Sequence, residues 1–191
     1  MRSRLFILFS IMLATISMMA QGFDFAALDS SYVTCTTGGY YHPYSSKGVV
    51  PGRHTVITEQ GFDSIVPSLQ LMPSGATHSV RLGNSAVGGE GEAIIYDILV
   101  TEERSILLLS YAAVMQNPDH IATRQPRFSL DILDSRGIAL DYLCGIFDFV
   151  ASDKLGWQGS DPMWKDWTTV GLDLSNYVGS RIQVRLTNRD C

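Results

Sequence analysis

The sequence is poor in the residues that mark most catalytic and metal chemistries. It has three cysteines, Cys35, Cys144 and Cys191, with no C-x-x-C pair, and four scattered histidines, His42, His54, His78 and His120. Those spacings do not suit a zinc site. No G-x-S-x-G, H-E-x-x-H or G-x-x-x-x-G-K-[ST] segment occurs, so the common hydrolase, metalloprotease and phosphate-binding signatures are missing. Basic residues are few, 14 Lys and Arg against 19 Asp and Glu, for a net charge of −5. That balance, without a basic stripe, argues against a nucleic-acid partner. Past the N-terminus no apolar run is long enough to span a bilayer, and helical periodicity is scarce.

The N-terminus is different. MRSRLFILFSIMLATISMMAQ carries Arg2 and Arg4, an apolar run from Leu5 to about Ile16, and then small residues. This is the form of a secretory signal peptide, with cleavage expected after Ala20 and Ser17 as the alternative. Removing residues 1–20 takes away two arginines and no acid, so 171 residues with a net charge of −7 remain. One domain of that size can bury a core without disulfides. An odd cysteine count in an exported chain implies a free thiol, an intermolecular bridge or a partner elsewhere. Three single bridges are conceivable; Cys144–Cys191 is preferred, because both lie where the strand pattern is strongest.

The remaining chain reads as β almost throughout. GRHTVITEQ and HSVRLGN are short strands, the second ended by Gly83-Asn84. EAIIYDILVTEERSILLLSYAAV reads as two long strands joined as a hairpin through Thr101–Arg104. Ile106–Met115 has the length of a helix but no capping box, which favours a buried strand. In RFSLDILDSRGIALDYLC, Phe128, Leu130 and Ile132 alternate with Ser129, Asp131 and Leu133, and Asp134–Gly137 makes a turn. Near the C-terminus, Thr168, Val170, Leu172 and Leu174 share one face. Ile182, Val184 and Leu186 share another, with Arg181, Gln183 and Arg185 opposite. We read these two segments as a further hairpin with one wet face, as in an antiparallel sheet. Eight to ten short strands with Gly, Pro, Asn and Asp turns predict an all-β fold, an antiparallel β-sandwich of jelly-roll type. Residues 21–50 are expected to pack on a sandwich spanning 51–191. The long loops are at 40–50, 88–92, 116–125 and 152–163, and binding is expected there.

Candidate sites are few. Asp119-His120 reads as a solvated loop pair. Glu90 and Glu92, two apart, would share a face if extended and could form the carboxylate pair of a glycosidase; a glycine-rich surface loop is the plainer reading. Calcium is a better candidate than catalysis, since Asp63, Asn84, Glu90, Glu92, Asp161 and Asp190 are hard oxygen donors. Glu90, Glu92 and Asp190 are the preferred metal ligands, although no D-x-[DN]-x-[DN]-G loop is present. Trp157, Trp164 and Trp167 fall within eleven positions, and GGYYHPYSS is rich in tyrosine. Exposed rings of this kind stack on sugars, while packing over the core is their commoner use. Trp157, Trp164, Tyr41 and Tyr44 are the candidate ligand-binding residues, and Trp167 has the wrong parity for the apolar face of its strand.

SVRLGN, GEAIIYDILV, SYAAVMQNPDH with QPRFSLDIL, and WKDWTTVGLDLSNYVGSRIQVRLTNRDC, in that order from about Gly52 to Cys191, resemble a domain of large secreted or surface proteins of the Bacteroidetes. The resemblance implies a jelly-roll sandwich of the galactose-binding or MAM-like kind, ahead of PKD-like repeats and a C-terminal sorting domain. It implies a non-catalytic adhesion or binding module at the cell surface, with a glycan or surface protein as partner and further domains downstream. A carbohydrate-active enzyme or its accessory domain is the alternative. Similar domains continue past the Asp-Cys step with another aromatic strand, so the sandwich is expected to be one strand short.

Overall fold

The computed structural model describes residues 10–14, 25–84, 86, 88–140, 146–150 and 156–190, and only the backbone of 10–14, 146, 147 and 149. The strands are β1 (Ser10–Ala14), β2 (Val33–Gly39), β3 (His42–Lys47), β4 (His54–Ile57), β5 (Ser79–Leu82), β6 (Glu90–Leu99), β7 (Ile106–Met115), β8 (Arg127–Asp134), β9 (Ile146–Val150), β10 (Met163–Asp173) and β11 (Arg181–Arg189). They form a five-stranded sheet, β10-β7-β1-β5-β4, and a six-stranded sheet, β3-β2-β6-β11-β8-β9. Every pairing is antiparallel. The fold is an all-β antiparallel sandwich. Ile106–Met115 is a strand, as its missing cap predicts.

The pleat sends alternate side chains to opposite faces, and this builds the core. Ile94, Tyr96 and Ile98 of β6, Phe128, Leu130 and Ile132 of β8, and Ile182, Val184 and Leu186 of β11 come from one sheet. Leu107, Leu109 and Tyr111 of β7 and Leu172 of β10 come from the other, and all are buried in one cluster. The Tyr111 and Phe128 rings meet between the sheets at 5.6 Å. Burying each such side chain is worth roughly 1.5–3 kcal/mol.

Two expected hairpins are crossovers instead. β6 and β7 lie in different sheets, joined through a single 3-10 turn at Glu102–Arg104. β10 and β11 are likewise split between the sheets. Alternation along a strand shows which face is apolar; it does not show which sheet the strand joins, because the inner faces of both sheets are equally apolar. From β5 to β8, and again from β9 to β11, each strand lies in the sheet opposite its predecessor. The Asp134–Gly137 turn is present; of the return segment in GIALDYLC only one bridge, Leu133–Ala139, is described, and the strand that pairs with β8 is β9, later in the chain.

The outer face of β10 is not wet along its whole length. Residues 58–78 fold back over this sheet, and Val66 and Leu69 bury against Ala112 and Val114, with Trp164 and Trp167 packed alongside. A register shift between Lys165 and Thr168 lets Trp167 lie on this side while Val170 and Leu172 keep facing the main core. The Trp167 indole donates from Nε1 to the Gln70 carbonyl at 2.8 Å.

Residues 33–47, expected to pack on the sandwich, supply two strands of the six-stranded sheet. Ser10–Ala14, inside the expected signal peptide, runs antiparallel between β5 and β7 in the five-stranded sheet. Cys35 is a buried free thiol, and burial pushes its pKa up to about 11. Cys144 and Cys191 lie outside the described residues.

Candidate functional site

The pleat that turns Ile94, Tyr96 and Ile98 inward gives Glu90 and Glu92 the same direction at the start of β6. The parity of Ile182, Val184 and Leu186 carries on through Asn188 to Asp190. Asn188 and Glu92 are cross-strand partners, so one end of the inter-sheet space is polar. Glu92 is 1% and Asp190 2% exposed. Arg53, just before β4, reaches this end. Its Nε donates to Glu92 Oε1 at 2.6 Å, Nη2 to the carbonyls of Gly38 and Gly91 at 3.1 and 3.0 Å, and Nη1 lies 3.5 Å from Glu90 Oε1. Asn188 donates to Glu92 Oε2 at 3.1 Å and Asn84 to Glu90 Oε2 at 3.0 Å. The backbone N–H of Glu90 donates to the Asp190 carboxylate, and the Asp190 N–H to the Glu90 carbonyl.

Three acids thus surround one guanidinium. Burial raises the Glu92 carboxyl, against the pull of Arg53 and Asn188. Burial, with the charges of Glu92 and Glu90, pushes Asp190 up to about 7. His54 lies beside them, accepting at Nδ1 from Val50 N–H and meeting the Ala93 carbonyl from Nε2, both at 3.2 Å. That pattern assigns the proton to Nε2. Burial lowers the ring's pKa and holds it neutral.

Glu90, Glu92 and Asp190, the preferred metal ligands, are therefore brought together, but around Arg53. Glu92 spends one oxygen on Arg53 and the other on Asn188, so the residues as placed do not fit a calcium ion. Among the described residues no group of three or more Asp, Glu, His or Cys has metal-holding geometry. The other oxygen donors are spread out. Asp63 accepts from Ile65 and Val66 N–H, Asn84 Oδ1 from Ala86 N–H, and Asp161 from Asn117 N–H.

The candidate aromatics separate into two kinds. Trp157 packs half-buried against the main core and Trp164 against the second cluster, so they do not share a platform. Their chain segments are tied by paired backbone bonds between Gln158 and Trp164 at 2.8 Å. The tyrosines are open. Tyr41 is 66% and Tyr44 36% exposed. Tyr41 stands edge-on to Tyr40 at 4.9 Å. The Tyr44 hydroxyl is 3.0 Å from Thr187 Oγ1, and the Arg185 guanidinium lies 4.5 Å above the Tyr44 ring.

Tyr44 therefore lies over the outer face of the six-stranded sheet, and its neighbours follow from register. Thr36, Ala93, Thr187, Ser129 and Asp148 form one row across five strands. Arg185 faces Asp131 in the next row, paired at 3.0 Å, and Arg189 faces Arg127 in the row on the other side. Small hydroxyl side chains make the floor, and arginines and Tyr44 stand above it. Arg127, Arg185, Arg189 and Asp131 were not among the sequence candidates. The alternation of Arg181, Gln183 and Arg185 marks the face; the cross-strand neighbours required the register.

Among the described residues no helix is long and apolar enough to cross a membrane. The chain matches no protein-family model, no curated protein and no solved structure.

Proposed function

We propose that this chain is a non-catalytic binding module of an exported protein, and that it takes a glycan or a protein surface on the outer face of its six-stranded sheet. The observation that carries this is Tyr44, an exposed ring fixed by Thr187 below and Arg185 above, with exposed Tyr41 nearby. A ring held at its hydroxyl by Thr187 and on one face by Arg185 loses little entropy when a flat ligand stacks on its exposed part. Polar groups in the adjacent rows supply directional contacts. The exported location rests on the N-terminal sequence alone, and the pairing of Ser10–Ala14 as β1 between β5 and β7 opposes removal of that segment. Alternation of successive strands between sheets supports a jelly-roll form, and with it the resemblance to a surface-protein domain of the Bacteroidetes with further domains downstream.

Asp190, with its pKa near neutrality, favours the alternative of a carboxylate enzyme. Its burial with Glu92 argues against that, because a substrate must reach the reacting oxygens. A glycan array with the full chain tests the binding reading. We expect saturable binding to a subset of glycans, lost in Tyr44→Ala. Polysaccharide hydrolysis abolished by Asp190→Asn would establish the enzyme instead.

A further inference from the structure

On the outer face of the six-stranded sheet two arginines stand directly opposite each other, Arg127 on β8 and Arg189 on β11. Phe128 and Asn188, their chain neighbours, are buried on the other side. Like charges across a strand pair are unfavourable, and a local rule broken without compensation marks a functional position more often than chance. Compensation here is partial. Arg127 is held by Asp148 at 3.1 Å and by the Ala122 carbonyl. Among the described residues, Arg189 makes no side-chain hydrogen bond or ion pair. In the next rows Arg185 is matched by Asp131, so this part of the face carries three arginines against two aspartates on a chain that is acidic as a whole. Both Arg127 and Arg189 oppose the rise in the pKa of the neighbouring Tyr40 hydroxyl, and the Tyr40 ring contacts Tyr41. The uncompensated charge thus lies by buried Tyr40, whose ring meets exposed Tyr41.

We infer that Arg189, with Arg127, binds the anionic substituent of an acidic polysaccharide whose sugar rings stack on Tyr41 and Tyr44. This rests on the binding reading above and narrows it. A guanidinium with free N–H groups matches a carboxylate or sulfate in two-pronged geometry. Thr36, Thr187 and Ser129 beneath these side chains are buried, so the polysaccharide lies across Tyr41, Tyr44 and the arginines.

The test is affinity electrophoresis of the full chain through polygalacturonate, dextran sulfate and neutral dextran. We expect retardation by at least one acidic polymer, weakening about tenfold in Arg189→Gln and on raising salt, since exposed charge pairs are screened. Polygalacturonate against dextran sulfate separates carboxylate from sulfate. Arg189→Glu is the decisive variant. It should abolish retardation while melting no lower than the parent, because the new pair opposite Arg127 is attractive. Equal retardation of parent and Arg189→Gln, or binding only to neutral dextran, overturns the inference and leaves the binding face standing. Loss of all polysaccharide binding by the parent overturns both.

Discussion

At the residue scale the polar end of the sandwich is the most informative feature. Asp190 is ordinary in sequence, a carboxylate one position from a cysteine. In the fold it is buried beside Glu92 and Glu90, with one guanidinium for all three. A carboxyl whose folded pKa is about 7, against 3.8 for a free aspartate, holds its proton more tightly when folded. Its contribution to stability is fully present below the unfolded pKa and is lost as pH rises through the folded one. The Glu92 shift has the same sign. Stability should therefore decline between about pH 4 and pH 7 from this cluster. Asp190→Asn keeps an oxygen for the Glu90 N–H and removes the buried charge. We expect it to match the parent in melting temperature at pH 4.5 and to exceed it at pH 8 by roughly 1–3 kcal/mol of stability. A variant less stable than the parent at pH 8 contradicts the account of this cluster. The grouping of Glu90, Glu92 and Asp190 was legible in their donor chemistry. Their tie to Arg53 was not, since that residue comes from a distant loop and nothing in its spacing points to them.

At the element scale seven of the described strands, β4–β8, β10 and β11, were legible; β1, β2, β3 and β9 were not, and neither was the pairing. Phe128, Leu130 and Ile132, or Ile182, Val184 and Leu186, announce a strand by period two. β6 and β7 follow each other through a short polar turn that looks like a hairpin tip, yet they belong to different sheets. The β2–β3 turn is a true hairpin with a steric requirement. A Cβ on Gly38 would stand 1.9 Å from the His42 carbonyl oxygen. Gly38→Ala should open this hairpin, displace Tyr44 from Arg185 and reduce both melting temperature and ligand binding; unchanged binding would contradict the dependence of Tyr44 on β3. β1 carries a second prediction. A chain starting at Gln21 leaves β5 and β7 facing an unfilled slot, and unpaired strand edges associate. On size exclusion we expect that chain to elute as dimers or larger, and a synthetic peptide of residues 8–16 to restore the monomer. A monomeric 21–191 chain with an unchanged melting temperature contradicts the place of β1.

At the scale of the whole molecule the sandwich has two differently used outer faces. The five-stranded sheet is partly covered by residues 58–78, which bury Val66 and Leu69 and engage Trp164 and Trp167. The six-stranded sheet leaves Tyr41, Tyr44 and its arginines partly open on the outer side, over a buried row of Thr36, Ala93, Thr187 and Ser129. Tryptophans, the more conspicuous sequence signal, are used for packing, and tyrosines, the weaker one, are left exposed. Composition could not separate these uses, because a ring suits a core and a sugar face equally; only placement against β3 and β11 does. The measurement that tests the open face most directly is the affinity of Tyr44→Ala and Trp164→Ala, side by side, for a glycan bound by the parent chain. The face predicts at least a tenfold loss of affinity in Tyr44→Ala with little change in melting temperature, and a lowered melting temperature with near-parental affinity in Trp164→Ala. Affinity lost in Trp164→Ala and retained in Tyr44→Ala would contradict it.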